Sequence, residues 1–179
     1  LPEESMENAL KTYRYNSLPP NDTAGAEKLI REILGKAGKN ITIRPPFYCD
    51  YGKNIEIGDN FFANFNTVIL DVGKVKIGNN VMFAPNVSVY TAGHPIHPDS
   101  RNSGYEYGIA VIIGDNVWIG GNAVINPGVT IGNNCVIGAG SVVTKNIPDN
   151  SIAVGNPARV IRKITDDDRR YYFKNLVFD

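Results

Sequence analysis

The chain has 179 residues, with 18 lysines plus arginines against 18 aspartates plus glutamates, two histidines and two cysteines. That length suits one domain with a substantial core, and the balanced charge gives no electrostatic reason to expect nucleic acid or an anionic membrane as partner. With no apolar run long enough to span a bilayer, no secretory leader and too few cysteines for a disulfide framework, the sequence predicts a soluble cytoplasmic protein with free thiols at Cys49 and Cys135.

Residues 1–40 form a predicted helical cap. A helix over residues 3–15 is followed by a second, capped by Asp22 or Thr23, in which Leu29, Ile30, Ile33, Leu34 and Ala37 fall at helical spacing before Gly38. From residue 41 to 164 a different grammar takes over. Starting at Ile113 the chain reads IGDNVW, IGGNAV, INPGVT, IGNNCV, IGAGSV, VTKNIP, with an aliphatic residue at Ile113, Ile119, Ile125, Ile131, Ile137 and Val143. Glycine follows at Gly114, Gly120, Gly132 and Gly138, and the fifth position is held by Val117, Ala123, Val129, Cys135, Ser141 and Ile147. The same pattern runs from Ile57 and, after a slip of two residues near Gly73 and Lys74, from Ile77. Neither an ordinary strand nor a helix repeats every six residues. Each hexad reads as a short strand plus a turn, and three hexads close one coil of about eighteen residues. In an all-β solenoid of this kind Ile113 stacks over Ile131 and Ile119 over Ile137, burying a core that no single repeat could bury. Five to six coils are expected.

One excursion, at about 92–110, interrupts the repeat and carries both histidines, in His94-Pro95-Ile96-His97-Pro98. A long loop breaking so regular a pattern points to function, and an imidazole there is a candidate general base. Two histidines three apart in an extended segment, without further ligands, predict no metal site. At the other end, Thr165 and the acids Asp166, Asp167 and Asp168 predict a short C-terminal helix over 165–179, with Tyr171, Tyr172, Phe173 and Leu176 packed on a coil. Trp118, at an outward hexad position, together with Phe61 and Phe83 reads as an outward apolar set suited to an interface.

Beyond the hexads, seven stretches carry a more specific signal: PPFYCDYG at 45–52, NFFANFN at 60–66, GHP at 93–95, IGDNVWIGG at 113–121, NPGVTIG at 126–132, VIGAGSVVTK at 136–145 and GNPARVIR at 155–162. Through them the segment from Asn40 to Ile164 resembles the maltose, galactoside and nodulation-factor O-acetyltransferases of the hexapeptide-repeat family. The resemblance implies a left-handed parallel β-helix, acetyl-CoA as cosubstrate with no metal, and transfer to a hydroxyl of a small acceptor such as a sugar, in a ternary complex without an acyl-enzyme. It also implies a homotrimer with sites between subunits, His94 facing Trp118 and Asn64 across an interface.

Residue by residue, the resemblance makes His94 the catalytic base and gives Asn64 contact with both acceptor and acetyl-CoA. Asp50 matches a position that hydrogen-bonds the acceptor, where the galactoside branch has serine. Asp71 lies near a second acceptor contact, although Val72 holds the equivalent place. Glu106 is expected to orient His94 through its other ring nitrogen. Trp118 would wall the acyl end, Gly121, Ala139 and Gly140 would line a groove for the pantetheine arm, and Thr144, Lys145, Arg159 and Arg162 would meet the nucleotide end. Two alternatives stay open: a conjugated or non-sugar acceptor such as an antibiotic or polysaccharide precursor, and a non-catalytic trimeric scaffold.

Overall fold

The computed structural model describes residues 3–178. Two helices, α1 (Glu3–Asn16) and α2 (Thr23–Ile33), precede a three-sided parallel β-solenoid. The Asp22 carboxylate caps α2 by accepting from the Gly25 amide at 2.9 Å, as the sequence predicts. Face 1 stacks Lys36–Ala37, Ile55–Ile57, Val75–Ile77, Val111–Ile113 and Thr130–Ile131. Face 2 stacks Thr42–Ile43, Phe62–Ala63, Met82–Phe83, Trp118–Ile119, Val136–Ile137 and Ser151–Val154, and the antiparallel strand Arg159–Lys163 closes its upper edge. Face 3 stacks Phe47–Cys49, Thr67–Leu70, Ser88–Tyr90, Val124–Ile125 and Val142–Val143. The first rung begins at Lys36, ahead of residue 41, because Lys36 and Ala37 already pair with Glu56 and Ile57.

The hexad register holds as expected: Ile113 pairs with Ile131 and Ile119 with Ile137, and the inward residues Ile113, Ile119, Ile125, Ile131 and Ile137 are buried. Ala123, Cys135 and Ser141 fill the interior beside the turns. Phe61 and Phe83 correct the outward set. Both are buried and meet edge to face at 5.1 Å between ring centroids, because Phe61 holds a fifth position and Phe83 an aliphatic one in the repeat. The outward column beside Trp118 is built from their neighbours, Phe62 and Met82.

Each edge of the prism has its own chemistry. On the edge from face 1 to face 2, Asn40, Asn60, Asn80, Asn116, Asn134 and Asn150 all sit at positive φ and pass a side-chain hydrogen bond from each to the next at 2.9–3.1 Å. Their separations of 20, 20, 36, 18 and 16 residues record the length of each coil. The extra residues all leave the prism at one place, the edge from face 3 to face 1. Two of its turns, around Asp50–Asn54 and Asp71–Lys74, are lengthened, and the third opens into the excursion after Thr91. The helices close the lower end: Asn16 donates to the Phe47 carbonyl and accepts from its amide, both at 2.9 Å, while Arg31 donates to the carbonyls of Ala37 and Gly38.

The C-terminal helix is replaced by a five-residue 3-10 turn, Asp166–Arg170, and an antiparallel ribbon of Tyr171–Phe173 with Leu176–Val177. Thr165 and Asp168 start a helical turn, but aromatic and β-branched residues follow, and Lys174 at positive φ turns the chain back. Tyr172, Phe173 and Leu176 are exposed and belong to the ribbon instead of packing on a coil. Residues 1, 2 and 179 of the predicted cap and helix lie outside the described residues. Among the described residues no helix is long and apolar enough to cross a membrane.

The asparagine column makes a stability prediction. Asn116→Ala removes two carboxamide bonds and puts a Cβ residue in the left-handed region, costing about 2 kcal/mol, whereas Asn116→Gly relieves the backbone and costs about half as much. Chemical denaturation should rank wild type above Gly and Gly above Ala.

Candidate active site

The excursion is an ordered arm. Ala92–Gly93 pairs with Tyr107–Gly108, and between them a short helix, α3 (Pro98–Asn102), is capped by His97. Arg101 ties the bend by donating to the carbonyls of Pro95 and Ile96. At the foot, Gly108 and Gly73 meet backbone to backbone: a Cβ on Gly108 would lie 2.6 Å from the Gly73 nitrogen. The Tyr107 ring covers Gly93 so closely that a Cβ there would fall 2.4 Å from the ring. The residue before His94 therefore has to be glycine for the ring to lie where it does.

His94 leaves this base half exposed, with Nδ1 3.0 Å from the Tyr105 carbonyl. A carbonyl only accepts, so this bond puts the proton on Nδ1 and leaves the lone pair of the neutral ring on Nε2. Glu106 does not orient the ring through the other nitrogen as expected. Its Oε1 lies 3.8 Å from Nε2, the same atom that would act as base, and the main chain does the orienting. The periodic signal used to read the sequence says nothing about a loop carbonyl, so Tyr105 could not be anticipated.

Asp50 sits on the same edge, in the first lengthened turn. Burial, and after it the negative charges of Asp71 and Glu106, pushes its carboxyl above the usual range. Asp71 is fully buried. Its Oδ1 accepts from the amides of Asp50 and Tyr51, both at 2.9 Å, and Oδ2 from the Asn54 amide at 3.3 Å, while Asn54 Nδ2 donates to the Asp71 carbonyl at 2.7 Å. Burial raises the Asp71 carboxyl and these amides oppose the rise. An acceptor contact would need an exposed oxygen, and Asp71 offers none. Cys49 next to Asp50 is pushed up to about 12, chiefly by burial, so its thiol stays protonated and is a poor nucleophile.

A second group of residues occupies a different edge, between faces 2 and 3. One position beyond the paired Ile43, Ala63, Phe83, Ile119 and Ile137 lies a column of Arg44, Asn64, Ala84, Gly120 and Gly138, joined rung to rung by backbone bonds of 2.8–3.0 Å. Asn64 therefore stands at the lower end of a strip of small residues running up the prism. Its Oδ1 accepts from the Phe65 amide at 2.9 Å, leaving the Nδ2 donors to point elsewhere. Gly121, Ala139 and Gly140 flank the strip: a Cβ on Gly140 would meet nothing within 4 Å, and one on Gly121 would crowd the Pro85 carbonyl at 3.2 Å. Trp118, 51% exposed, stands outward on face 2, in a column that continues through Val136 and Ile152 to Arg162.

A profile described as bacterial transferase hexapeptide (six repeats) matches residues 110–145. The galactoside O-acetyltransferase of Escherichia coli K12 is 50% identical over 175 residues, which is 98% of this chain and 86% of that protein. A crystal structure of a maltose O-acetyltransferase from Clostridium difficile 630 superposes with a TM-score of 0.90 at 53% identity, over 91% of this chain and 87% of that one. A galactoside acetyltransferase in complex with coenzyme A superposes with a TM-score of 0.98 at 49% identity, over 99% of this chain and 89% of that one.

The chain belongs to the hexapeptide-repeat acetyltransferase family.

Its solenoid is accordingly the left-handed parallel β-helix that the resemblance implies. Within one chain of this family fold, the expected site residues fall into two sets. His94, Glu106 and Asp50 share the edge between faces 3 and 1, and Thr144 stands four rungs above Asp50 in the same column, with Lys145 beside it. Asn64, Trp118, Gly121, Ala139, Arg159 and Arg162 belong to face 2 and its edge with face 3. The two arginines differ. Arg162 is held in a bidentate pair with Asp168 at 2.7 and 2.8 Å, which keeps that carboxyl far below the usual range, whereas the Arg159 side chain, among the described residues, bonds only the neighbouring Ala158 carbonyl. Among the described residues no group of three or more His, Cys, Asp or Glu side chains is placed to hold a metal ion.

The Tyr105 contact predicts the tautomer. In ¹⁵N-resolved NMR above the histidine titration, His94 should carry its proton on Nδ1, and a signal from a protonated Nε2 in the neutral ring would contradict the assignment.

Proposed function

We propose that the protein is an acetyl-CoA-dependent O-acetyltransferase that moves acetyl to a hydroxyl of a sugar by direct transfer, with His94 as general base. One observation carries this reading: an imidazole tied by Nδ1–H to the Tyr105 carbonyl presents an unprotonated Nε2 beside Glu106, on the edge that also holds Asp50. The names of the relatives and neighbours supply the substrate class.

In this mechanism Nε2 takes the proton of the acceptor hydroxyl as the oxygen attacks the thioester carbonyl carbon. The C–S bond then breaks, and the imidazolium returns the proton to the departing sulfur. Proton transfer by a positioned base of this kind contributes about 10²–10⁴-fold. Holding the two substrates in line contributes much of the rest. Glu106, 3.8 Å from Nε2, stabilises the imidazolium during the step. Asn64 donates from Nδ2 to the oxygen that gains charge, and Asp50 accepts from acceptor hydroxyls. The strip from Asn64 to Gly138 spans three rungs, about 14 Å at ordinary strand spacing, and suits the pantetheine arm because no side chain rises from it to block an approach to the backbone. Trp118 borders the acyl end, and Arg159 with Lys145 and Thr144 meets the nucleotide phosphates. The enzyme works in the cytoplasm, where acetyl-CoA is available.

A homotrimer completes the site in this reading. What supports it is the division of the functional residues between two edges of the prism, and an arm whose Ile96 is 95% exposed, far more than an isolated chain has reason to display. The arm of one subunit then carries His94 to the Asn64 and Trp118 of its neighbour.

Three outcomes follow. Thiol release from acetyl-CoA should occur with some member of a panel of maltose, glucose and galactosides and fall at least 100-fold in His94→Ala; absence of coenzyme A binding would favour a scaffold instead. His94→Ala and Asn64→Ala, each inactive alone, should recover about a quarter of the activity after mixed refolding if each site draws on two subunits in random trimers. Arg159→Ala with Arg162→Ala should raise the KM for acetyl-CoA about tenfold and spare that of the acceptor, Arg159 giving most of the effect.

A further inference from the structure

We propose that Asp71 is a positioning residue for the acceptor side of the site: its buried carboxylate gathers the amides of the Asp50–Asn54 turn and so fixes the Asp50 side chain on the edge that also carries Glu106 and His94. The inference rests on the reading above that Asp50 meets the acceptor.

Asp71 is the one charged side chain with a fully buried position among the described residues, and a buried carboxylate needs compensation. Here the compensation comes from a single turn. Three amides of that turn, those of Asp50, Tyr51 and Asn54, converge on its two oxygens, and Asn54 returns a fourth bond from its side chain to the Asp71 carbonyl. That turn is one of the three places where the coil carries extra residues, so no hexad register holds it in place. The next rung repeats the device. Thr91, also buried, accepts from the Gly73 amide at 2.8 Å and donates to the Leu70 carbonyl at 2.6 Å, pinning the second lengthened turn. Gly73 in that turn is the surface against which Gly108, the foot of the His94 arm, is packed. Both lengthened turns are thus fastened from the rung above by a buried polar side chain, Asp71 for the turn bearing Asp50 and Thr91 for the turn on which the foot of the arm rests.

Asparagine at 71 is close in shape but offers one oxygen where two are used, and it turns an N–H₂ toward an amide donor. The turn loosens while the coil stays intact. The measurement is a double-mutant cycle on initial rates, with the fastest sugar of the panel as acceptor. Asp50→Ala and Asp71→Asn should each raise the acceptor KM about tenfold, with the KM for acetyl-CoA within about twofold of wild type, and the double variant should be no worse than Asp50→Ala alone. A purely structural role for Asp71 would move both KM values and the thermal midpoint together, and would add to Asp50→Ala; either result overturns the inference. An unchanged acceptor KM in Asp71→Asn overturns it too. If Asp50→Ala itself leaves the acceptor KM unchanged while acetyl transfer persists, the failure lies in the acceptor role given to Asp50, and the present inference falls with it. Should Asp71→Asn not fold, Asn54→Ala, which removes only the reciprocal bond, serves in its place: a smaller rise in acceptor KM that vanishes on the Asp50→Ala background supports the inference, and no rise overturns it.

Discussion

Parallel pairing of each rung with the next, at one fixed register around three faces, is the constraint on which the rest of this molecule depends. Ile77 lies under Ile113 and Ile113 under Ile131 because each backbone amide reaches the carbonyl of the rung beside it, and the inward side chains then have only one place to go. Parallel pairing without a covering layer of helices is tolerable because the sheet faces close on one another and leave no flank open. The same pairing sets the outward positions. Residues 18, 20 or 36 apart in the chain become immediate neighbours. Asn64, Ala84, Gly120 and Gly138 form a continuous strip for that reason alone.

Much of this was legible in the sequence. The solenoid, its core columns and the arm with His94 follow from a period of six and one interruption, since periodic burial leaves a periodic trace, while the helices ahead of it follow from helical spacing and a capping residue. Sequence and structure part where the period stops or the phase shifts by one position. Phe61 and Phe83 occupy inward hexad positions, one step from the outward Phe62 and Met82. The C-terminal segment obeys no repeat, and a good helix start at Thr165 outweighed the strand preference of Tyr171–Phe173. Within the site, residue types were readable but partners were not. Glu106 is a plausible orienting carboxylate by composition, yet the bond falls to a main-chain carbonyl, which no sequence motif advertises. Asp71 is expected at the acceptor because it neighbours the position that matches an acceptor contact of the family; burial and three amide donors turn it inward.

In the proposed function the two sets of residues obey different physical demands. The strip on the edge of faces 2 and 3 would require absence: small residues, so that a long flexible cosubstrate can lie against backbone. The opposite requirement would rule the edge of faces 3 and 1, where the proposed base His94, two carboxylates and an arm are to be held in fixed relation. The regular coil supplies the first at no cost, since glycine is already a turn residue. The second needs additional bracing, and the structure provides it through Tyr107 over Gly93, Gly108 on Gly73, Arg101 in the bend, and the buried Asp71 and Thr91.

The asparagine edge bears on how such a protein can change. Every carboxamide there from Asn60 to Asn134 is both giver and receiver, so an inserted residue would sever the chain of bonds above and below it, and length variation on that side is forbidden. The edge beside Asp50 has no such continuity, and it already tolerates two enlargements and a full arm. Exchange of the Asp50 turn alone, with the arm kept, would in the proposed function alter which acceptor is recognised while leaving His94, the strip of small residues and the scaffold's cohesion untouched, which makes this architecture a natural host for grafted specificity.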